Sequence, residues 1–410
     1  MISHVRFTLS TLICALAICG TAFCQGGSGS THVFYVNSSG HVGQLYRYIS
    51  NSSYAWASQD VTAAAGAPSV GAGSGLSALV GMAEHVFYVD SSQHVQHLVN
   101  DENDTSWTSQ DLMALTGCPL AAAGSPVAAV NPLWANLYVA YVTTKLGLNV
   151  LLWNGSSWSC KGGGWGPEAG GTIAGYANDL PHFFYAHLGY LWELHTECNP
   201  SCEYVLQDFG LPASGSAGIA TFADYRGLHV YYQDLSQHIH ENLCASENGS
   251  GICSGWVDTD LTANYGGGTL PAASSRLTGY YDADTGNAFP YSGEHVYYVA
   301  TSGDVNLLLK PNNGNINEGN WFNTDVIAAS GFSVPADPGG GLASAEVPEA
   351  ILASDDAFFL ESGSYQVYTV FLYAMAPQFK YWDVALGIEG GPSSFPAPSP
   401  HSPMVAFVVQ

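Results

Sequence analysis

The sequence is poor in positive charge: it has eight Lys and Arg residues against 33 Asp and Glu, a formal net charge of −25. Nucleic acids bind proteins through clustered cations that neutralise phosphates, so this composition excludes a nucleic-acid partner. It disfavours anionic membrane surfaces for the same reason. The sequence also lacks a long segment with the 3.6-residue apolar period of an amphipathic helix, which excludes a mainly helical protein.

Aromatic residues and glycine are abundant instead. Phe, Tyr and Trp make up 12% of the chain, Gly accounts for 47 residues, and only 10% of the residues are charged. Aromatic residues favour strands and glycine favours tight turns, so the composition predicts many short strands. A chain of 410 residues is long enough for several average domains, but repeated all-β architectures of this length form one unit. We therefore expect one all-β domain.

The N-terminal segment has the features of an export signal. Arg6 supplies a positive charge, a short apolar segment follows it, and small residues precede a Gly/Ser-rich stretch. We predict a signal peptide over residues 1–24, a linker over 25–31 and a folded domain over 32–410. The apolar segment is short for a membrane span, and a lipid anchor at either of its last two cysteines lacks the small residue wanted before it. The protein is therefore predicted to be secreted, without a membrane span.

Six cysteines lie outside the predicted signal peptide. An even number in an exported protein indicates disulfides. Two pairs are favoured because their members flank turn-rich segments, and the third follows by elimination. These pairs are Cys198–Cys202 and Cys244–Cys253, and then Cys118–Cys160. A metal site at the first pair, with His195 nearby, is a weaker interpretation, because it lacks a second pair of ligands with matching spacing.

One pattern recurs along the chain at intervals of 46–66 residues. It consists of an aromatic-rich strand, a turn, a second strand, and an aromatic residue followed four positions later by Asp. The first strand of each copy starts at His32, His85, Asn136, His182, His229, His295 and Ala357. This spacing fits the four-stranded blade of a β-propeller, so we predict a seven-bladed β-propeller.

The aromatic-x3-Asp element is complete in six of the seven copies. The copies are Trp56/Asp60, Trp107/Asp111, Tyr204/Asp208, Trp256/Asp260, Trp321/Asp325 and Phe379/Asp383, and the third copy has Trp158 alone. Recurrence in nearly every blade is typical of a structural role. We predict that the Asp accepts backbone N–H groups in the next loop and that the ring packs between blades. A recurrent histidine at the start of the second strand, as at His41, is either a polar cap or a hydrogen-bond donor between blades.

A strand of small residues lies between successive copies, where strands crowd around a propeller axis. The first copy lacks this strand, and the chain ends with an unassigned one that starts at Met404. Pairing that strand with the one at His32 would close the ring and remove two open sheet edges. We therefore predict that the C-terminal strand completes the first blade. A six-bladed ring with one decayed copy is the alternative, and the complete outer element at Phe379 and Asp383 favours seven.

The fifth copy carries a resemblance to a known family. The segment HVYYQ from His229, the segment HIHE from His238, and Trp256 resemble the blade motif of fungal fucose-specific lectins of the orange-peel-mushroom type. Those proteins are six-bladed propellers that bind fucose between blades. An Arg and a Glu on adjacent strands hydrogen-bond the sugar hydroxyls, and aromatic rings cover its apolar face. The resemblance implies ligand-binding roles for His229, Tyr231, Glu241 and Trp256.

Histidine occupies the position of the family Arg in this chain. A matching Glu follows it in two blades, which gives the pairs His182 with Glu193 and His229 with Glu241. Whether the second pair shares one face of the sheet depends on the hairpin between its strands. A two-residue loop places Glu241 opposite Val230, away from His229, and a three-residue loop places it opposite Tyr231, on the same side.

The sequence contains no motif of a nucleophile elbow, a metalloprotease, a phosphate loop or a calcium loop. We therefore predict a protein that is not an enzyme and that uses no metal and no cofactor. His238 and His240 share a strand face but lack a third ligand. The leading hypothesis is a secreted, lectin-like propeller that binds glycans in interblade pockets, with fucose as the candidate sugar. The alternative is a secreted structural or protein-interaction propeller without affinity for sugars.

Overall fold

The computed structural model describes most of the chain from residue 30 onward. The predicted signal peptide and residues 25–29 of the predicted linker lie outside the described residues. The described ranges are 30–50, 53–81, 83–101, 106–133, 136–168, 171–178, 180–198, 202–245, 253, 255–264, 269–282, 293–311, 320–331, 333–347, 354–363, 366–373, 379–383 and 397–409. No helix in these ranges is long and apolar enough to cross a membrane.

Seven four-stranded antiparallel sheets form the fold, and each is one blade of a β-propeller. From the axis outward, blade 1 consists of β28 (Met404–Val409), β1 (Ser30–Val36), β2 (Val42–Ser50) and β3 (Ser53–Asp60). Blade 2 consists of β4 (Leu76–Val80), β5 (Ala83–Val89), β6 (Val95–Asp101) and β7 (Trp107–Asp111). Blade 3 consists of β8 (Val127–Leu133), β9 (Asn136–Val142), β10 (Gly147–Trp153) and β11 (Trp158–Trp165). Blade 4 consists of β12 (Ile173–Ala177), β13 (Pro181–His187), β14 (Tyr190–Cys198) and β15 (Cys202–Pro212). Blade 5 consists of β16 (Ile219–Asp224), β17 (Gly227–Gln233), β18 (Ile239–Cys244) and β19 (Trp256–Asp260). Blade 6 consists of β20 (Leu277–Tyr281), β21 (Gly293–Val299), β22 (Val305–Pro311) and β23 (Phe322–Asp325). Blade 7 consists of β24 (Leu342–Val347), β25 (Ser354–Leu360), β26 (Val367–Tyr373) and β27 (Phe379–Asp383). The predicted seven-bladed fold is confirmed.

The C-terminal strand closes the ring, as predicted. β28 pairs with β1 in antiparallel register, from Ser30 opposite Val409 to Tyr35 opposite Met404. The loop before β28 adds a further bond, because the Val36 backbone N–H donates to the Ser402 hydroxyl over 2.7 Å. Blade 1 therefore combines residues from both ends of the described chain.

The inner strands are built from small residues because they approach one another closely around the axis. At Gly175 in β12, a Cβ atom would come within 2.5 Å of the Val130 side chain in the neighbouring strand β8. Such close approach leaves no room for a side chain. The recurrence of Ala and Gly in these strands thus follows from their position in the ring.

The recurrent Asp caps a short helix that follows the outer strand. Asp111 accepts the backbone N–H of Ala114 over 2.9 Å and begins α2 (Leu112–Thr116). The other helices are α1 (Val61–Ala65), α3 (Leu261–Asn264) and α4 (Val326–Ala329), and Asp60, Asp260 and Asp325 make the same bond. The predicted acceptor role of the Asp is confirmed at these positions.

The second carboxylate oxygen of the same Asp contacts the recurrent histidine of the second strand. The distances are 2.7 Å for His41 to Asp60, 2.6 Å for His94 to Asp111 and 2.7 Å for His238 to Asp260. Each contact lies within one blade. The histidine therefore links the second strand to the helix cap, and the interpretation of it as a donor between blades is wrong.

Replacing Asp111 by Ala tests the cap. We expect the Asp111→Ala variant to lose about 1 kcal/mol of unfolding free energy, because the first turn of α2 loses the acceptor for one of its N–H groups. Asp111→Asn keeps an acceptor and should lose clearly less. Urea unfolding of both variants measures the difference, and equal losses would contradict the capping role.

The outer aromatic residues pack between blades, as predicted. Five of these rings meet, edge to face, an aromatic ring in the second strand from the axis of the preceding blade, with centroids 5.9–6.3 Å apart. The pairs are Trp56 on Phe358, Trp107 on Phe34, Trp158 on Phe87, Trp256 on Phe184 and Trp321 on Tyr231. Such contacts stabilise the packing of neighbouring blades, because the aromatic side chains bury a large apolar area.

Two of the predicted disulfides are present. Cys118–Cys160 joins the loop after α2 in blade 2 to β11 in blade 3, and Cys244–Cys253 lies within blade 5. Cys198 and Cys202 are register partners at the end of the β14–β15 hairpin. Their side chains lie outside the described part of the structure, so their pairing stays a prediction.

Candidate functional site

The hairpin between β17 and β18 decides which face Glu241 occupies. The Asp234 backbone N–H donates to the His238 carbonyl, and the His238 N–H donates to the Asp234 carboxylate, which leaves a three-residue loop whose last member, Gln237, has a φ of 68°. Three-residue hairpin loops commonly end with a residue in this left-handed conformation. As a result Tyr231 lies opposite Glu241, and Glu241 shares a face with His229.

A group of buried polar residues forms on this face, between blades 5 and 6. We name it the blade 5–6 cluster, and its members are Asp224, Arg226, His229, Tyr231, Glu241 and Glu294. Three of them come from the sequence prediction. Asp224, Arg226 and Glu294 were not predicted, because Asp224 ends β16, Arg226 lies in the turn after it, and Glu294 belongs to the next blade.

His229 is held between two carboxylates. Its Nδ1 lies 2.7 Å from Glu241 Oε1, and its Nε2 lies 2.9 Å from Asp224 Oδ1. The Tyr231 hydroxyl donates to Glu294 Oε2 over 2.6 Å, which ties blade 5 to blade 6. His229 and Tyr231 are completely buried, and Glu241 is 5% exposed.

Arg226 brings the balancing charge. Its Nε lies 3.0 Å from Asp224 Oδ2, its Nη2 contacts Glu294 Oε1, and the same nitrogen lies 3.6 Å from Glu241 Oε1. Lys310 Nζ approaches Glu294 Oε1 to 3.6 Å from blade 6. Three carboxylates therefore meet three basic groups, and the cluster is close to neutral when all of them are charged.

The pKa values within the cluster follow from burial and these contacts. Burial would lower the pKa of His229, but hydrogen bonds to Asp224 and Glu241 outweigh it and raise the pKa to about 9. The pKa of Asp224 falls to about 2, because the contacts with His229 and Arg226 outweigh burial. Burial raises the pKa of Glu294 above its ordinary value. At neutral pH His229 is thus protonated and acts as a hydrogen-bond donor on both nitrogens.

Aromatic rings border the cluster at the surface. Tyr225 is 55% exposed, and its ring lies 6.0 Å from that of Tyr281 in an edge-to-face arrangement. Arg226 follows Tyr225 in the turn and is half-buried. The outer edge of the cluster therefore combines a guanidinium with two tyrosine rings, above a base of buried carboxylates.

A second cluster lies in blade 4, on the strands β13 and β14. His182 Nδ1 lies 2.6 Å from Glu193 Oε1, and His195 approaches the other oxygen of Glu193 to 3.5 Å. Burial would raise the pKa of Glu193, but its contacts with His182 and His195 outweigh burial and lower it. His182 stacks on Phe184, which packs against Trp256. Trp256 therefore packs on the Phe184 ring that stacks with His182, and Trp321 takes the matching place beside Tyr231.

One signal in the sequence points to the residue contributed by the next blade. Glu294 directly precedes His295, and Glu84 directly precedes His85 in the same way. In the structure Glu84 Oε1 lies 3.1 Å from His32 Nδ1, between blades 1 and 2. A Glu before the first histidine of a blade thus reaches back to the histidine of the preceding blade.

Asp224, His229 and Glu294 are the described residues whose spacing could hold a metal ion. Their ligand atoms, however, already have partners. Arg226 contacts Asp224 and Glu294, Glu241 contacts His229, and Tyr231 donates to Glu294. A guanidinium therefore stands where a metal ion would have to bind, and the geometry does not favour a metal site.

The comparisons with known proteins identify structures of similar fold. No family model and no curated protein matches the sequence. Among solved structures, the BP39L lectin from Burkholderia pseudomallei is 15% identical, with 86% of this chain and 94% of that chain covered and a TM-score of 0.58. The fucose-specific lectin from Aleuria aurantia is 16% identical, with 75% and 94% covered and a TM-score of 0.47. At this identity the similarity to the BP39L lectin supports the propeller fold.

Proposed function

We propose that the protein is a carbohydrate-binding propeller and that its sugar site is the outer edge of the blade 5–6 cluster. The observation that carries this proposal is the position of Arg226. Its guanidinium is half-buried, is held by Asp224 and Glu294, and lies beside the exposed ring of Tyr225. This arrangement joins the two features that sugars require, namely fixed hydrogen-bonding groups and an aromatic surface.

The chemistry of each part suits a sugar. A guanidinium donates several hydrogen bonds in one plane, and a carboxylate accepts them, so the two together match adjacent hydroxyl groups. An aromatic ring packs against the C–H face of the sugar ring. Because Asp224 and Glu294 hold Arg226 in place, its side chain loses little conformational entropy when it binds.

The buried residues act in this proposal as supports. His229, Tyr231 and Glu241 position the carboxylates under Arg226, and a ligand would meet them only at their outer edge. His182, Glu193 and Trp256 are proposed as a second site between blades 4 and 5. Fucose is the first sugar to test, because the blade motif resembles that of fucose-specific lectins.

Export belongs to the same proposal. We place a signal peptide at residues 1–24 and a linker at 25–31, so that the mature protein is the propeller. The disulfides Cys118–Cys160 and Cys244–Cys253 are consistent with an oxidising compartment. The proposed role is binding of extracellular glycans without catalysis.

Replacing Tyr225 by Ala tests the sugar site. We expect the Tyr225→Ala variant to lose at least about tenfold in affinity, since a stacking aromatic ring contributes roughly 1–3 kcal/mol. The variant should fold normally because the side chain is 55% exposed. A glycan array with the purified protein finds the ligand, and calorimetry with that glycan measures the affinity.

Tyr190→Ala is the matched control, because Tyr190 is 45% exposed and lies in blade 4. It should bind as the unaltered protein does. Equal losses of affinity in both variants would contradict the assignment of the sugar site to Tyr225.

The complete burial of His229 and Tyr231 favours the alternative function, a structural or protein-interaction propeller. The absence of binding to every glycan on the array would support that alternative.

A further inference from the structure

The ring has a cavity of about 160 Å³ in its axial channel, at the end where the inner strands begin. Each inner strand contributes its first residue and the residue before it. Apart from Thr172 and Arg276, these residues are glycine, proline or apolar, and no Asp or Glu is among the described residues that line the cavity. Arg276, directly before β20, is the one charged side chain among them. The described lining of the cavity is thus apolar with a single cation.

Arg276 has no counter-ion among the described residues. Within the part of the chain that the structure describes, its guanidinium makes no hydrogen bond and no ion pair. Burial alone lowers its pKa below the ordinary value. The other two described arginines both pair with carboxylates: Arg47 lies 3.3 Å from Asp356, and Arg226 is bound in the blade 5–6 cluster. A partly buried charge without a partner is unfavourable, so this exception in a chain with 33 acidic residues calls for a ligand.

The neighbouring strands cannot supply the missing carboxylate. The equivalent residue in blade 5 is Gly218, where a Cβ atom would come within 2.2 Å of the Leu277 backbone nitrogen. The equivalent residue in blade 7 is Gly341, where a Cβ atom would come within 2.5 Å of Met404 Cβ. The close approach of the strands therefore excludes any side chain at both positions, and the space beside Arg276 stays open to a ligand.

We propose that this end of the axial channel binds a small organic carboxylate. Its oxygens would bind the Arg276 guanidinium, which matches a carboxylate with two parallel hydrogen bonds. Its hydrocarbon part would pack on the apolar residues that begin the inner strands, such as Ile219 and Leu277. Because a single water molecule needs only about 10–15 Å³ of such space, the cavity has room for an acid of a few carbons. This site is separate from the proposed sugar site and does not depend on it.

Thermal unfolding of the full chain with butyrate, compared with butyramide, tests the charge requirement. A ligand that binds the folded state raises the unfolding temperature in proportion to its occupancy. We expect butyrate to raise it at concentrations at which the uncharged butyramide has no effect. Equal shifts with both compounds, or no shift with butyrate, would overturn the proposal. This comparison needs no variant and so does not depend on how a substitution folds.

The Arg276→Gln variant tests whether the Arg276 guanidinium binds the carboxylate. We expect it to bind butyrate at least about tenfold more weakly, because the variant loses the hydrogen bonds of a charged donor to the carboxylate. Lys145→Gln removes an exposed cation in blade 3 and should leave the affinity unchanged. Unaltered binding by Arg276→Gln would refute the assignment. Sulfate is the competing probe: if it bound as tightly as butyrate, the channel would recognise charge alone and the assignment to an organic acid would be wrong.

Discussion

Deletion of residues 404–410 is expected to abolish cooperative folding of the propeller. These residues contain all of β28, which supplies the inner strand of blade 1 and pairs with β1 along its length. Its loss would leave the axis-facing edge of β1 without backbone partners and would break the contact of β28 with the inner strands of blades 2 and 7. The loss should therefore be comparable to the whole stability of a typical domain, about 5–15 kcal/mol.

Circular dichroism and urea unfolding of the truncated protein measure this effect. Deletion of Gln410 alone is the control, because β28 ends at Val409. The control should unfold as the full chain does. If the long deletion unfolded with the same midpoint as the control, the closure of the ring by β28 would not be needed for the fold.

Replacement of Arg226 by Met is expected to give the second largest loss of unfolding free energy. Removing one partner from a group of buried charges typically costs about 3–5 kcal/mol, because the remaining charges stay buried without compensation. In this variant the remaining basic partners of Asp224, Glu241 and Glu294 among the described residues would be His229 and Lys310. Arg226→Lys keeps the charge but not the planar group, and we expect it to lose less.

The loss of unfolding free energy in Arg226→Met should become smaller as the pH falls. Burial already raises the pKa of Glu294, and removal of Arg226 takes away a contact that lowers it. A carboxyl group whose pKa is raised on folding destabilises the folded state above that pKa, and the effect vanishes below the pKa of the unfolded chain. The difference between Arg226→Met and the unaltered protein should therefore be large at pH 7 and shrink towards pH 4.5. A difference that is the same at both pH values would contradict the role of the Glu294 carboxylate in the loss.

The fold could be predicted because its signals are local and repeated. The aromatic-x3-Asp element, the small residues of the inner strands and the unassigned strand at Met404 each report a position within one blade. Seven copies reinforce one another, and a strand without a partner at each end of the repeat indicates closure. The Asp caps at Asp60 and Asp111 were predictable for the same reason.

The candidate site could be predicted only in part, because it forms between blades. His229 and Glu241 were predicted as a pair, but their common face depends on a three-residue loop that the sequence does not determine. Glu294 is 53 residues from Glu241 and reaches the cluster only through the packing of blade 6 on blade 5. Trp256 was assigned to the His229 motif because it follows it in the chain. Outer rings pack backwards on the preceding blade, and so Trp256 meets Phe184 instead.

The antiparallel register of the closing strand has a mechanical consequence. Ser30 lies opposite Val409, so the chain enters β1 and leaves β28 at the same end of their ladder. A force between attachments placed before Ser30 and after Val409 would act perpendicular to the strands at that end. The hydrogen bonds would then break one pair at a time, as in an opening zipper, rather than all together in shear. A propeller tethered through both ends would open at low force, whereas one tethered through a single end would carry no load across the ring.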